Sequence, residues 1–132
     1  MPGSSLWLLP PSTHPLSTIL PTLIDKTSTH FSSPHRFIPH VTLTSEIDPS
    51  TYSPNPQQWL DSLPFPSASS ATVKFGRLRS EDVFVRKLYI GVEKAGVKQI
   101  GKVTRQRVKG FEGEVEAERW AKEKYGPHLS LL

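Results

Sequence analysis

Apolar positions along this chain follow two rhythms, one of period two and one of period three to four. Alternation predicts strands, and the longer spacing predicts helices. Ser5-Leu6-Trp7-Leu8-Leu9 alternates and is stopped by Pro10-Pro11, so a short strand is expected there. Leu16, Ile19, Leu20, Leu23 and Ile24 then keep helical spacing. Ser12 or Thr13 is placed to cap that helix, with Pro15 in its first turn. Pro21 is expected to kink the helix or delay its start, and the helix to end before Ser32-Ser33-Pro34. A strand follows over about Pro39 to Ile47. Asp48 to Ser70 is rich in Pro and Ser and reads as loop, with one short helix around Gln57–Leu63. Ala71–Leu78 and Val83–Glu93 read as a hairpin turning at Arg79–Asp82. Val97–Val108, with Val97, Ile100 and Val103 on one side, and Glu112–Lys124 read as helices. Gly126-Pro127 breaks the second helix, and a last strand closes the chain. This order of elements predicts antiparallel sheets with helices on one face, an α+β fold.

Two of the strands are copies of one pattern. Phe37 to Thr44 reads Phe-Ile-Pro-His-Val-Thr-Leu-Thr, and Tyr125 to Leu132 reads Tyr-Gly-Pro-His-Leu-Ser-Leu-Leu. Both run aromatic, any residue, Pro, His, apolar, hydroxyl, Leu. On a strand, His40 and Thr42 share one face, and Val41 and Leu43 the other. His128 and Ser130 stand in the same way against Leu129 and Leu131. The apolar faces can enter a core, which leaves the His and hydroxyl faces for water, a cavity or a ligand.

Composition narrows the chemistry. The 132 residues make one domain's worth of chain. No apolar run approaches the ~20 residues that cross a bilayer. The start has no basic segment of a secretory signal, and a protein of the cytoplasm or nucleus, cytoplasmic first and without membrane contact, is the default expectation. The absence of cysteine excludes disulfides, thiolate catalysis and Cys-based zinc sites. Charge is uneven. Residues 73–132 hold 14 of the 16 basic residues against eight acidic ones. A basic half suits an anionic partner such as a phosphate ester or RNA, although an ordinary solvated surface also reads this way.

Two histidines and two hydroxyls facing one cleft suit phosphoester hydrolysis without a metal or other cofactor. One imidazole takes a proton from water, and the other protonates the leaving oxygen. The hydroxyls donate to the non-bridging phosphate oxygens, where charge accumulates. Trp7 faces away from Leu6 and Leu8, where it either stacks on a nucleobase or packs half-buried. Lys74, Arg77, Lys87 and Tyr89 either line an anionic pocket or form ordinary surface. His14, His30 and His35 lack metal-ligand spacing, and Trp59 and Trp120 read as helix-packing residues.

The paired motifs His40-Val41-Thr42 and His128-Leu129-Ser130, 88 residues apart, resemble those of the two-histidine phosphoesterase superfamily. Ser5-Leu6-Trp7-Leu8-Leu9-Pro10, Pro39 to Ser45, Arg86-Lys87-Leu88-Tyr89-Ile90 and Pro127 to Leu132 make the fungal and plant cyclic phosphodiesterases the closer likeness. The resemblance covers nearly the whole chain. It implies a bilobal fold, with antiparallel sheets lining a central cleft and helices outside. It implies His40 and His128 as the acid–base pair, Thr42 and Ser130 as phosphate-binding hydroxyls, and Trp7 near the base. It further implies a small cyclic phosphate as substrate, ADP-ribose 1″,2″-cyclic phosphate from tRNA splicing or nucleoside 2′,3′-cyclic phosphates. The family pattern continues past the second motif, with a tyrosine soon after it. The expectation is therefore a single domain over 1–132 that lacks C-terminal elements of its relatives. With Leu132 as the end, the last strand is expected to pair with Val83–Glu93. Two rival readings are an RNA-end processing enzyme acting on 2′,3′-cyclic or 2′-5′ linked RNA, and a silent nucleotide- or RNA-binding module.

Overall fold

The computed structural model describes residues 3–83 and 86–132. In chain order the elements are β1 (Ser4–Leu8), α1 (Leu16–His30), β2 (Val41–Ile47), α2 (Pro49–Tyr52), α3 (Pro56–Asp61), β3 (Phe75–Arg79), β4 (Tyr89–Val92), α4 (Lys94–Arg105), α5 (Glu114–Glu123) and β5 (His128–Ser130). A 3-10 turn lies at Ala68–Ser70. β1 and β2 pair antiparallel, and β3, β4 and β5 form a second antiparallel sheet in that order. The architecture is α+β. Among the described residues, no helix is long and apolar enough to cross a membrane.

One core serves both sheets. Leu20 and Ile24 from α1, Val41 and Leu43 from β2, Val92 from β4, Val97 and Ile100 from α4, and Leu129 from β5 all meet in it. Each such side chain contributes about 1.5–3 kcal/mol by leaving water. Burial of this kind explains why α1 runs unbroken through Pro21 and starts at Leu16 without delay. Pro21 sits on the exposed face, and the hydrogen bond it forfeits is offset by Leu20 and Ile24 on the inner face.

The start of α1 corrects one expectation. Neither Ser12 nor Thr13 caps it. A turn closed by the His14 amide donating to the Pro11 carbonyl at 2.9 Å places both residues one turn too early. The Leu16 amide donates instead to Nδ1 of His14 at 3.1 Å.

The hairpin forms where expected, with shorter strands. β3 begins at Phe75 and keeps Arg79, and β4 begins only at Tyr89. The expected strand through Val83 includes residues 84 and 85, which lie outside the described residues. Residues 86–88 are turn-like. The Glu81 amide donates to the Arg86 carbonyl, and the Arg86 amide to the Val83 carbonyl, so local bonds take the place of the ladder.

Helices α4 and α5 pack together with their inner faces on Val97, Ile100, Val103, Ala117 and Ala121. Lys102 lies nearly buried between the Glu114 and Glu118 carboxylates, and Lys98 reaches Glu118 at 2.6 Å. Arg105, at the end of α4, is buried between the rings of Phe111 and Trp120, 4.0 and 4.8 Å from their centroids. It donates to the Thr44 hydroxyl at 3.3 Å. Loss of water pushes its pKa down, partly countered by the Glu46 carboxylate.

Candidate active site

β1 and β2 set the first half of the site. Their register pairs Trp7 with Thr42 and Leu8 with Val41. Paired residues on antiparallel strands share a face, so Leu8 and Val41 turn inward, and Trp7 and Thr42 turn the other way. His40 immediately precedes β2 and joins that outer face. The indole of Trp7 lies flat on its imidazole, with ring centroids 3.8 Å apart and an interplanar angle of 13°. Trp7 remains 44% exposed.

Strict alternation would have put Thr44 beside Thr42. The register slips between Trp7 and Leu6, so that Leu43 and Thr44 are both buried. A second slip follows toward Ser4, where Glu46 takes a left-handed φ of 67°. Such bulges re-aim side chains without ending the strand. Arg105 fastens this one by reaching Thr44 and, at 3.5 Å, the Ser45 carbonyl.

β4 and β5 repeat the arrangement. Their register pairs Tyr89 with Ser130, Ile90 with Leu129, and Gly91 with His128. Ile90 and Leu129 turn to the core. Tyr89, Gly91, His128 and Ser130 share the other face, and Tyr89 meets the His128 ring edge-on with centroids 5.2 Å apart. In each half an aromatic residue on the neighbouring strand is paired with the motif hydroxyl and touches the motif histidine. The duplication therefore reaches beyond the two motifs into Leu6-Trp7-Leu8 and Leu88-Tyr89-Ile90. That wider likeness, Leu-aromatic-apolar, is legible in the sequence once strand pairing is known.

The histidines themselves are held alike. Nδ1 of His40 lies 2.6 Å from the Ile38 carbonyl, and Nδ1 of His128 lies 2.8 Å from the Gly126 carbonyl. A carbonyl oxygen can only accept, so Nδ1 carries the proton in both rings. Nε2 is then the atom left to take a proton in the neutral ring, or to give one in the cation.

The two halves are joined by Tyr125, the aromatic residue that opens the second motif. Its hydroxyl donates to the Thr42 carbonyl at 3.0 Å. Burial pushes its pKa up strongly, so the donor stays protonated. β2 and β5 are also neighbours in space.

Beside His128 lies a groove of about 360 Å³, lined by Arg77, Arg79, Tyr89, Gly91 and Lys94 among others. His40 and Trp7 are not part of its lining. The Tyr89 hydroxyl donates to Glu81 at 2.6 Å, and this bond raises the tyrosine pKa, with Arg79 at the same hydroxyl acting in the opposite sense. Of the four residues read as pocket or surface, Arg77 and Tyr89 line the groove. Lys74 turns to Glu93 at 3.6 Å, and Lys87 is exposed. Trp120 packs as expected, stacked on Tyr125 with centroids 4.9 Å apart. No group of three or more histidine or carboxylate side chains stands together as metal ligands among the described residues.

Comparison with known proteins places the chain in a family. The family described as cyclic phosphodiesterase-like protein matches residues 1–132. A 2′,3′-cyclic-nucleotide 3′-phosphodiesterase of Phaeosphaeria nodorum is 62% identical over 133 residues, covering all of this chain and 69% of the relative. One of the same description from Neurospora crassa is 40% identical over 155 residues, covering all of this chain and 71% of the relative. No solved structure matches significantly. The chain belongs to the cyclic phosphodiesterase-like family.

Proposed function

We propose that this chain hydrolyses cyclic phosphate esters of nucleosides, with His40 and His128 as its acid–base pair. The reading rests above all on the matched setting of the two imidazoles, each with Nδ1 bonded to the carbonyl two residues before it. Both relatives carry the description 2′,3′-cyclic-nucleotide 3′-phosphodiesterase, which supports the same substrate class. The two sheets serve as two lobes, each giving one motif strand to a shared cleft.

In this scheme one neutral histidine takes a proton at Nε2 from water as its oxygen attacks phosphorus. One of the two ring P–O bonds breaks. The other histidine, protonated, gives its proton to the departing ribose oxygen, so the product is an open phosphate monoester with a free hydroxyl. Thr42 and Ser130 donate to the non-bridging oxygens. Both proton transfers are supplied by imidazole, so the scheme requires no metal or cofactor. Trp7 carries the base on its face away from His40. Within the class, ADP-ribose 1″,2″-cyclic phosphate is the finer assignment that the family resemblance implies.

The test is turnover of adenosine 2′,3′-cyclic phosphate and of ADP-ribose 1″,2″-cyclic phosphate, with and without a chelator, followed by phosphorus NMR. Conversion to a monoester that the chelator leaves unchanged is expected. Activity lost to the chelator and restored by a divalent ion overturns the metal-free scheme. Binding without turnover favours a silent nucleotide-binding module.

A further inference from the structure

The groove beside His128 is lined by four cationic side chains, Arg77, Arg79, Arg86 and Lys94, against one carboxylate, Glu93. Its lining includes Gly91, which the β4–β5 register sets opposite His128. A Cβ at Gly91 would meet only the Arg77 carbonyl, at 3.8 Å, so packing does not require glycine there. The missing side chain instead leaves a passage from the histidine across β4 to β3. On β3, Arg79 is paired with Tyr89, and Arg77 precedes it by two positions on the groove side.

These two arginines differ from the other cations nearby. Lys74 is engaged by Glu93, Arg86 lies 3.9 Å from Glu81, and Lys94 donates to the Lys122 carbonyl at 2.9 Å. Glu93, which also lines the groove, is thus turned toward Lys74. Among the described residues, no carboxylate forms an ion pair with Arg77 or Arg79, although Glu81 shares the Tyr89 hydroxyl with Arg79. Two guanidinium groups outside any ion pair, in a groove that ends on a candidate catalytic histidine, form a fork for a phosphate.

We infer that this groove is a second anion subsite, in which Arg77 and Arg79 hold a further phosphate group of a substrate whose cyclic phosphate lies at His128. The inference rests on the cyclic phosphodiesterase reading and deepens it. The preferred substrate is a cyclic phosphate ester that carries a second phosphate, and the arginines set that preference. The second phosphate is either a terminal 5′-phosphate or the internucleotide phosphate of a short RNA end. Both have the same chemistry.

The experiment compares adenosine 2′,3′-cyclic phosphate, its 5′-phosphorylated form, and a diadenosine ending in a 2′,3′-cyclic phosphate. The second phosphate should raise kcat/KM roughly 10- to 100-fold through KM, the size of one or two charge-assisted hydrogen bonds. In the double variant R77A/R79A that ratio should fall toward one, while Lys109→Ala, outside the groove, should leave it intact. Gly91→Leu should also erase the ratio by filling the passage. A gain in either arm supports the subsite and identifies which phosphate fills it. Turnover of the plain cyclic nucleotide with no gain in either arm overturns the subsite and leaves the cyclic phosphodiesterase reading standing. If nothing is turned over, that reading fails, and calorimetry with adenosine 2′,5′-bisphosphate against adenosine 2′-phosphate decides the subsite. Equal affinities there overturn it, and a bisphosphate preference lost in R77A/R79A supports it.

Discussion

The Tyr125 hydroxyl donates to the Thr42 carbonyl at 3.0 Å, across 83 residues of sequence. The bond runs from the residue that opens the second motif to the backbone of the first, and so ties the two motif segments together. Tyr125→Phe keeps the ring and its stack on Trp120 but leaves the Thr42 carbonyl without this donor. A loss of about 1 kcal/mol is expected. At this chain length that is roughly 3–5 °C in Tm. A larger relative loss in kcat than in stability is expected if the bond sets the site's geometry. An unchanged kcat would mean that the bond serves the fold alone.

Gly101 tests the same contact from the other side. In the middle of α4, alanine is ordinarily better than glycine by about 0.5–1 kcal/mol. Here a Cβ would come within 2.7 Å of the Tyr125 ring. That ring is stacked on Trp120, which opposes its moving away. Gly101→Ala should therefore destabilise, with overpacking costing about 1–3 kcal/mol. Chemical denaturation gives the sign directly, and a stabilised variant would show that the ring can move.

His40 and His128 should be equally indispensable to turnover. Replacing either by Ala should lower kcat by roughly 10²–10⁴, the usual worth of general acid–base catalysis. The parent protein should show a bell-shaped dependence of kcat/KM on pH, and each variant should lose one limb. If both variants lose the same limb, one residue is not part of the proton-transfer pair.

Trp7 covers one side of His40 and keeps 44% of its surface exposed. Trp7→Ala removes both the stack that fixes the imidazole and the surface proposed for the base. A fall in kcat/KM of roughly 5- to 150-fold is expected, the range of a ~1–3 kcal/mol stacking platform. Trp7→Phe keeps a flat ring and should recover most of it. A Trp7→Ala protein that loses affinity for the base but keeps its kcat would assign the residue to substrate alone.

Much of this arrangement is legible in the sequence. Period-two alternation put Val41, Leu43 and Leu129 inward, and all three are buried. Tertiary detail was not legible. Thr44 follows the alternation in sequence, yet a bulge held by Arg105, 61 residues away, turns it into the core. Strand length in the hairpin also escaped, because local bonds around Arg86 replace the ladder that its β-branched sequence favours. The sequence offers Tyr89 only as an anionic-pocket residue or as ordinary surface. Its place beside His128 follows from the β4–β5 register, which only pairing across the sheet fixes. The charge excess of the second half was visible as a sum, whereas its concentration beside one histidine required the fold.

The junction of α4 and α5 gives stability a pH dependence with a defined sign. The Lys98 and then the Lys102 ammonium groups hold the Glu118 carboxyl below its ordinary value of 4.5. A carboxyl depressed in the folded state stabilises the fold above its unfolded pKa, and that contribution is lost as pH falls through the folded value. Lys102 shifts upward, mainly through its bond to Glu114, so on its own side the pairing is lost as pH rises through the alkaline range. Glu118→Gln should therefore lower Tm at pH 7, and the gap from the parent should close as pH falls below about 4.5. Glu118 is partly exposed, so salt should also narrow the gap at neutral pH. Thermal melts from pH 7 to 3 at low and high salt check this. A gap that persists at pH 3 would show that Glu118 acts through packing and not through its charge.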